Sequence, residues 1–336
     1  MRLSGASSGI SEMEGKAVAA PDGYGARSVQ STFQADRMPL STVNDLLWFL
    51  YLFPLRLLSA VGPRGLLYRI GRLAEPLVQF HWRRRREKAI GWIASACCCT
   101  PDQAARIARQ SISNNMLRIL DDLFLLQPSR TQAVPRASIK GVEHLERALS
   151  AGKGVIILTG HFCANRIAEK YLASCGYPML SVHNQRPSNK GAGRLGRRFL
   201  QPRYLELQRR ANPDVVYMQD AECSLKILGR LRSGGLVNLQ LDGLAATRAV
   251  EGTFLGISWR FGAGIFELTR LSGCAVVPML CLGGGSEFQI RFSATLAVVR
   301  ANSADEFLSA NLPVFTQALE KLVVDQPEEW RLWTHF

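Results

Sequence analysis

The sequence predicts an α/β protein with a mostly parallel sheet flanked by helices, preceded by a helical part that meets a membrane. Three observations predict it. From residue 154 onward, short apolar runs rich in β-branched residues alternate with helical stretches. An amphipathic helical period fills residues 101–126. A hydrophobic segment at 46–61 is followed closely by a block of arginines. Length and composition set the outer limits. A chain of 336 residues holds one large domain or two modest ones. With 47% apolar and 20% charged residues it is neither a disordered chain nor a polytopic membrane protein. Its 41 Lys+Arg against 27 Asp+Glu leave a net charge of +14. Such a field attracts nucleic acid, anionic lipid or an acidic protein, and composition does not choose among them.

Taken in order, residues 1–38 are rich in Ser, Gly and Ala without an apolar period and read as a disordered leader; they lack the layout of a signal peptide. The segment Leu46–Val61 follows, interrupted by Pro54 and Arg56. Its clean apolar run is shorter than the roughly 20 residues of a comfortable span. Two membrane readings remain open. The segment crosses with Arg56 reaching toward the headgroups, or it lies in the interface anchored by Trp48 and Tyr51. The positive charges downstream, Arg64, Arg69, Arg72, Arg83–Arg86 and Lys88, favour membrane contact over a buried soluble helix. Residues 101–126 form a helix opening on Pro101 and Asp102, and Pro128 and Pro135 mark a connection. Strands are expected at Gly154–Thr159, Met179–Val182, Val215–Met218, Leu236–Leu241 and Ala275–Leu282, with helices at Ser224–Leu231 and Gly264–Leu271 between them. The resulting plan is a leader at 1–38, a helical membrane-proximal region at 39–135 and an α/β domain at 136–336. Eight cysteines form no C-x-x-C pair and no Cys/His cluster, so reduced thiols are expected and neither a zinc site nor another metal site is.

The most informative short stretch is Thr159-Gly160-His161-Phe162. It sets a histidine directly after a buried-type strand, where open α/β sheets place their ligands. Gly160 permits close backbone approach there. An imidazole so placed can take a proton from an attacking hydroxyl.

Around this point the sequence resembles a known family. Ile139–Phe162 (IKGVEHLERALSAGKGVIILTGHF) looks like the lipid A biosynthesis lauroyl/myristoyl acyltransferases of bacteria, within the lysophospholipid acyltransferase superfamily. Further blocks follow in the family's order. They are His183–Pro187 (HNQRP), Leu239–Gly243 (LQLDG), Phe254-Leu255-Gly256, Gly264 with Arg270, Ser272–Pro278 (SGCAVVP), and Gln326–Trp330 (QPEEW) with Trp333 and His335. The family's closing segment reads Pro-Glu-Gln-Trp. The resemblance covers Leu46 to the C-terminus.

It implies an acyltransferase on the inner, cytoplasmic membrane of a bacterium, held at the cytoplasmic face by one N-terminal helix. The donor would be acyl carrier protein or acyl-CoA, and the acceptor a hydroxyl or amine on a lipid or glycolipid. No cofactor is implied. His161 would be the general base. Arg186 is the first candidate for acceptor phosphate or carrier, and Arg194, Arg197, Arg198 and Arg203 extend that patch.

One position departs from the family. Its signature histidine is followed after four residues by an acid, and here that position is Arg166. A cation beside His161 would keep the imidazole neutral but would not hold the imidazolium. Two substitutes stand open, Glu169 on the following helix and Asp242 at the end of a neighbouring strand. Cys163 is a third residue of interest, as a thiol nucleophile or as a small residue filling a tight turn. The alternative to an enzyme is a catalytically impaired relative that binds lipid or acyl carrier protein. Gly191–Gly196 fits G-x-G-x-x-G but follows a polar, arginine-rich stretch instead of closing a strand, so it is no dinucleotide site. Nucleic-acid binding has only the net charge in its favour and no reading motif.

Overall fold

The computed structural model describes residues 40–125, 136–184, 192–211, 214–243, 248–283 and 287–334. The expected leader therefore lies outside the described residues.

Five helical stretches come first. α1 (Val43–Leu50) begins on a capping box, in which Thr42 and Asp45 satisfy each other's backbone N–H groups. It runs through a wider turn, Tyr51–Leu55, that contains Pro54, and continues as α2 (Arg56–Val61). The missing N–H of Pro54 is what a regular α-helix cannot accommodate there. α3 (Arg64–His81), α4 (Arg83–Ala96) and α5 (Pro101–Leu125) follow. α5 matches the helix expected at 101–126.

A seven-stranded sheet occupies the rest of the chain. Its strands are β1 (Arg136–Lys140), β2 (Val155–Thr159), β3 (Met179–His183), β4 (Val215–Tyr217), β5 (Leu236–Gln240), β8 (Ala275–Leu282) and β9 (Glu287–Phe292). Their order is β1-β9-β8-β2-β5-β3-β4. From β8 to β4 the pairs are parallel, while β9 runs antiparallel to β8 and carries β1 parallel to itself. α6 (Val142–Ser150), α7 (Asn165–Ser174), α8 (Gln201–Ala211), α9 (Cys223–Arg232), α10 (Gly264–Ser272) and α11 (Ala304–Asp325) connect and cover these strands. All five strands expected from the sequence form. β1, β9 and the hairpin β6 (Ala249–Phe254) with β7 (Ile257–Gly262) were not anticipated. The hairpin hides because its turn is Leu255-Gly256, both at positive φ (50° and 78°), where Asn-Gly or Asp-Gly is the usual signal. Leu255 tolerates that backbone because its N–H donates to Glu320 Oε1 (2.6 Å) and its carbonyl accepts from Trp92 Nε1 (3.0 Å).

The central strand explains the layering. Val155, Ile156, Ile157 and Leu158 are fully buried, alternating between two cores. Ile156 and Leu158 face a core shared with α4, α5, α11 and the C-terminal tryptophans, whereas Val155 and Ile157 face α6 and α7. Each such side chain contributes roughly 1.5–3 kcal/mol of burial, so this run anchors the sheet. A third, smaller core joins Tyr51 and Leu52 to Leu120, Leu123, Leu200 and Leu207, and so docks α1–α2 onto α5 and α8.

Candidate active site

His161 follows a tightly packed turn at Gly160. A Cβ on Gly160 would lie 2.9 Å from Leu319 Cδ1 and 3.1 Å from Asp242 Oδ2. The Gly160 carbonyl accepts from Asn165 Nδ2 at 2.5 Å, which ties the turn to the start of α7. The C-terminal segment runs alongside like a rail. Arg331 N–H donates to the His161 carbonyl (3.1 Å), Cys163 N–H donates to the Glu329 carbonyl (3.0 Å), and Phe162 pairs with Trp330.

β2 and β5 are adjacent and parallel, with Thr159 opposite Gln240, so the chain leaves both strands side by side. That register brings Asp242 to His161. Asp242 Oδ1 lies 2.7 Å from His161 Nδ1. Its other oxygen, Oδ2, accepts from the His161 backbone N–H (2.8 Å) and from Trp330 Nε1 (2.6 Å). The carboxylate is fully buried, while the imidazole keeps 19% of its side-chain surface exposed. Burial pushes the Asp242 carboxyl up, but the charge and hydrogen bonds of His161 and the Trp330 indole outweigh it and hold it below the usual carboxylate range. Burial pushes the His161 imidazole below the ordinary histidine value against the opposing pull of Asp242, with Arg331 and Arg118 adding to the lowering. An ionised Asp242 requires Nδ1 to be the protonated nitrogen. Nε2 is then left with its lone pair, the form a base needs.

Arg166 turns to other partners. On the first turn of α7, its Nη1 lies 2.8 Å from Asp122 Oδ2 and 2.9 Å from the Tyr204 hydroxyl. Arg118 Nη1 meets the same Asp122 oxygen at 2.8 Å. The residue standing at the family's acid position is thus part of a network joining α5, α7 and α8. Glu169, the other acid considered, accepts from Ser181 Oγ (2.8 Å) and from Asn238 Nδ2. Its hydrogen bonds go to Ser181 on β3 and Asn238 on β5, and none goes to His161. Burial raises its carboxyl above the usual range.

Cys163 is buried, and burial pushes its thiol up to about 12, so it fills a turn instead of offering a thiolate. Arg194, Arg197 and Arg198 are exposed around the turn Gly196–Leu200, with the Arg198 guanidinium 5.8 Å from the Phe199 ring. Arg186 lies outside the described residues. Among the described residues no group of three His, Cys, Asp or Glu side chains has metal-binding proximity.

Two important side chains escaped the sequence reading. Trp330 sat in the closing motif, but nothing in its spacing pointed to Asp242, 88 positions away. Asp122 carried no signal beyond being an acid on a helix, and only the packing of α5 against α7 makes it the partner of Arg166.

Fold and site together define a class: a parallel α/β protein with a histidine–aspartate pair just beyond two adjacent strand ends. The chain belongs to the bacterial lipid A biosynthesis acyltransferases, whose family model matches residues 37–335. It is accordingly an acyltransferase acting on lipid. A search of curated proteins finds no match.

Proposed function

We propose that the protein moves a fatty acyl group from acyl carrier protein or acyl-CoA to a hydroxyl or amine of a lipid or glycolipid at the cytoplasmic face of the inner membrane. The observation that carries this reading is the 2.7 Å contact between His161 Nδ1 and the buried Asp242 carboxylate. Nε2 of His161 takes the proton of the acceptor hydroxyl as its oxygen attacks the thioester carbonyl. The carbon–sulfur bond breaks, the thiolate leaves, and the imidazolium returns the proton to it. The products are an acyl ester and a free thiol. Asp242 does not touch substrate; it orients the ring and stabilises the imidazolium. Arg194, Arg197 and Arg198, with Arg186 by resemblance, supply guanidinium groups for acceptor phosphate or for the acidic carrier.

The competing reading, a catalytically impaired lipid or carrier binder, draws on Arg166. Two features count against it. Arg166 is engaged by Asp122 and Tyr204, and an acid contacts the imidazole all the same. Purified protein supplied with a labelled acyl-carrier thioester and a panel of lipid acceptors separates the two readings. Transfer should occur and should fall about 10²–10⁴-fold in His161→Ala. Transfer that survives the loss of His161 would overturn the mechanism, and no transfer to any acceptor would favour the binder.

A further inference from the structure

We infer that α3 joins α1–α2 in one in-plane docking face for an anionic bilayer, so that the chain rests on a single leaflet without threading α1–α2 through it. The inference rests on the membrane part of the proposed function and not on its chemistry.

The first observation is how α1–α2 is held. The segment Val43–Val61 is 19 residues long, apolar enough to cross a membrane by length and composition. Yet it is fixed to the protein at three points, near its head, its middle and its end. At its head Asp45 is buried, and its carboxylate accepts from the Gly193 N–H at 2.9 Å. At its middle Tyr51 and Leu52 are buried against Leu120, Leu123, Leu200 and Leu207. Near its end the Ser59 hydroxyl reaches the Leu123 carbonyl. A crossing helix would carry α5 with it, including the buried Asp121 and Asp122. Charges at bilayer depth are expensive.

The second observation is α3, which lacks the composition of a span. Its inner face is pinned to α5: Leu67 is fully buried, and the Tyr68 hydroxyl bonds the Asp121 carboxylate. Its outer face carries Leu73, Leu77 and Phe80, which are 82%, 73% and 76% exposed. The spacing i, i+4, i+7 puts all three on one stripe. α1–α2 leaves Leu46, Phe49, Phe53 and Leu57 exposed in the same way. A solvated soluble protein has no use for two neighbouring helices with bare apolar stripes.

The third observation names the occupant. Among the described side chains, the exposed formal charges on α1, α2 and α3 are Arg69 and Arg72, with Arg56 and Glu75 half-buried, and Arg83, Arg84 and Arg85 follow exposed at the start of α4. Beside α1, the exposed Phe199 sits among Arg197 and Arg198, and the Arg203 guanidinium lies 5.8 Å from the Phe53 ring. Apolar stripes bordered by arginine match an acyl–headgroup boundary of negative charge.

Flotation of the full chain with phosphatidylethanolamine vesicles, with and without phosphatidylglycerol, tests this without reading catalysis. The wild type should float with the anionic vesicles, fall off in high salt, and be released by alkaline carbonate. Leu73→Glu/Leu77→Glu/Phe80→Glu should weaken partitioning by at least about tenfold. Its circular dichroism and Tm should stay unchanged, because the three positions are exposed. Leu73→Ala/Leu77→Ala/Phe80→Ala should fall between the two. The inference is overturned if the triple Glu variant floats like wild type, if the wild type resists carbonate extraction, if neutral vesicles bind as well as anionic ones, or if the variant changes only the oligomeric state. A protein that docks as expected yet transfers no acyl group would defeat the catalytic reading and leave this one standing.

Discussion

Asp242 makes three hydrogen bonds at once, and all three donors belong to the site: the His161 ring, the His161 backbone and the Trp330 indole. A carboxylate held this way has little freedom to rotate, so it fixes which imidazole nitrogen carries the proton. Asp242→Asn keeps the size but not the charge, and we expect kcat/KM to fall by about 10²–10⁴. The same change removes the pull that raises the imidazole pKa. If His161 is the base, as proposed, it works when neutral, so activity in the wild type should persist below the ordinary histidine pKa, and the acid limb should move lower still in Asp242→Asn. On the proposed mechanism Trp330 positions Asp242 through its indole N–H. Trp330→Phe should preserve most of the packing, lower kcat more than it raises KM, and shift the acid limb. A uniform loss of folded protein with an unchanged pH profile would instead mark Trp330 as structural only.

At the scale of elements, the first turn of α7 is where the chain departs from its family. Arg166 is bound into α5 through Asp122 and into α8 through Tyr204, and Arg118 shares the same carboxylate oxygen. Asp122 is buried, so a second carboxylate beside it is costly. Restoring the family's acid with Arg166→Glu should therefore destabilise the protein by about 2 kcal/mol or more and bring no gain in rate. Thermal unfolding and the transfer assay read the two halves separately. A faster enzyme with an unchanged Tm would show that the acid belongs at 166 after all. The hairpin β6–β7 makes a related point about elements. Its Leu255-Gly256 turn forms against local preference because Glu320 and Trp92 satisfy the Leu255 backbone from other parts of the chain.

Across the whole molecule, stability is tied to the buried C-terminal segment that runs beside the site. Glu329 Oε1 accepts from the Gly283 N–H (3.0 Å) and from Asn114 Nδ2 (3.2 Å), while Oε2 is buried with no hydrogen-bond partner among the described residues. Burial pushes this carboxyl up to about 7, partly opposed by Gly283. The folded state then keeps a proton that the unfolded chain has already released. Stability should accordingly fall as pH rises from about 4.5 to 7 and level off above, a loss on the order of 3 kcal/mol. Glu329→Gln, the residue the family carries in its Pro-Glu-Gln-Trp segment, keeps the accepting oxygen and never ionises. Its Tm should exceed that of wild type at pH 8 and converge with it near pH 5. Parallel Tm–pH curves for the two proteins would refute the assignment.

The +14 charge gains definition at this scale as well. Exposed arginines gather at the start of α4 and around the turn Gly196–Leu200, beside exposed apolar side chains, while Arg118 and Arg166 are spent internally on Asp122.

By itself the sequence determined the parallel α/β sheet, the family and the candidate histidine. Each of these is written locally, in apolar runs of strand length and in blocks that keep their order along the chain. β2 and β8 were legible for that reason, since a strand buried on both faces is a continuous apolar run, and β3, β4 and β5 from shorter apolar runs. β1 was not, because RASIK is a short, polar edge strand that reads equally well as loop, and β9 was passed over although EFQIRF alternates polar and apolar residues as a half-buried strand does. Between Glu169 and Asp242 the sequence left the choice open. Tertiary structure brought Asp242 onto His161, through the parallel register of β2 against β5, and turned Glu169 toward Ser181 and Asn238. It also gave Arg166 its partner on α5 and set α3 with its apolar stripe outward. Contacts between residues 44 to 88 positions apart depend on how elements pack, and no spacing along the chain encodes them.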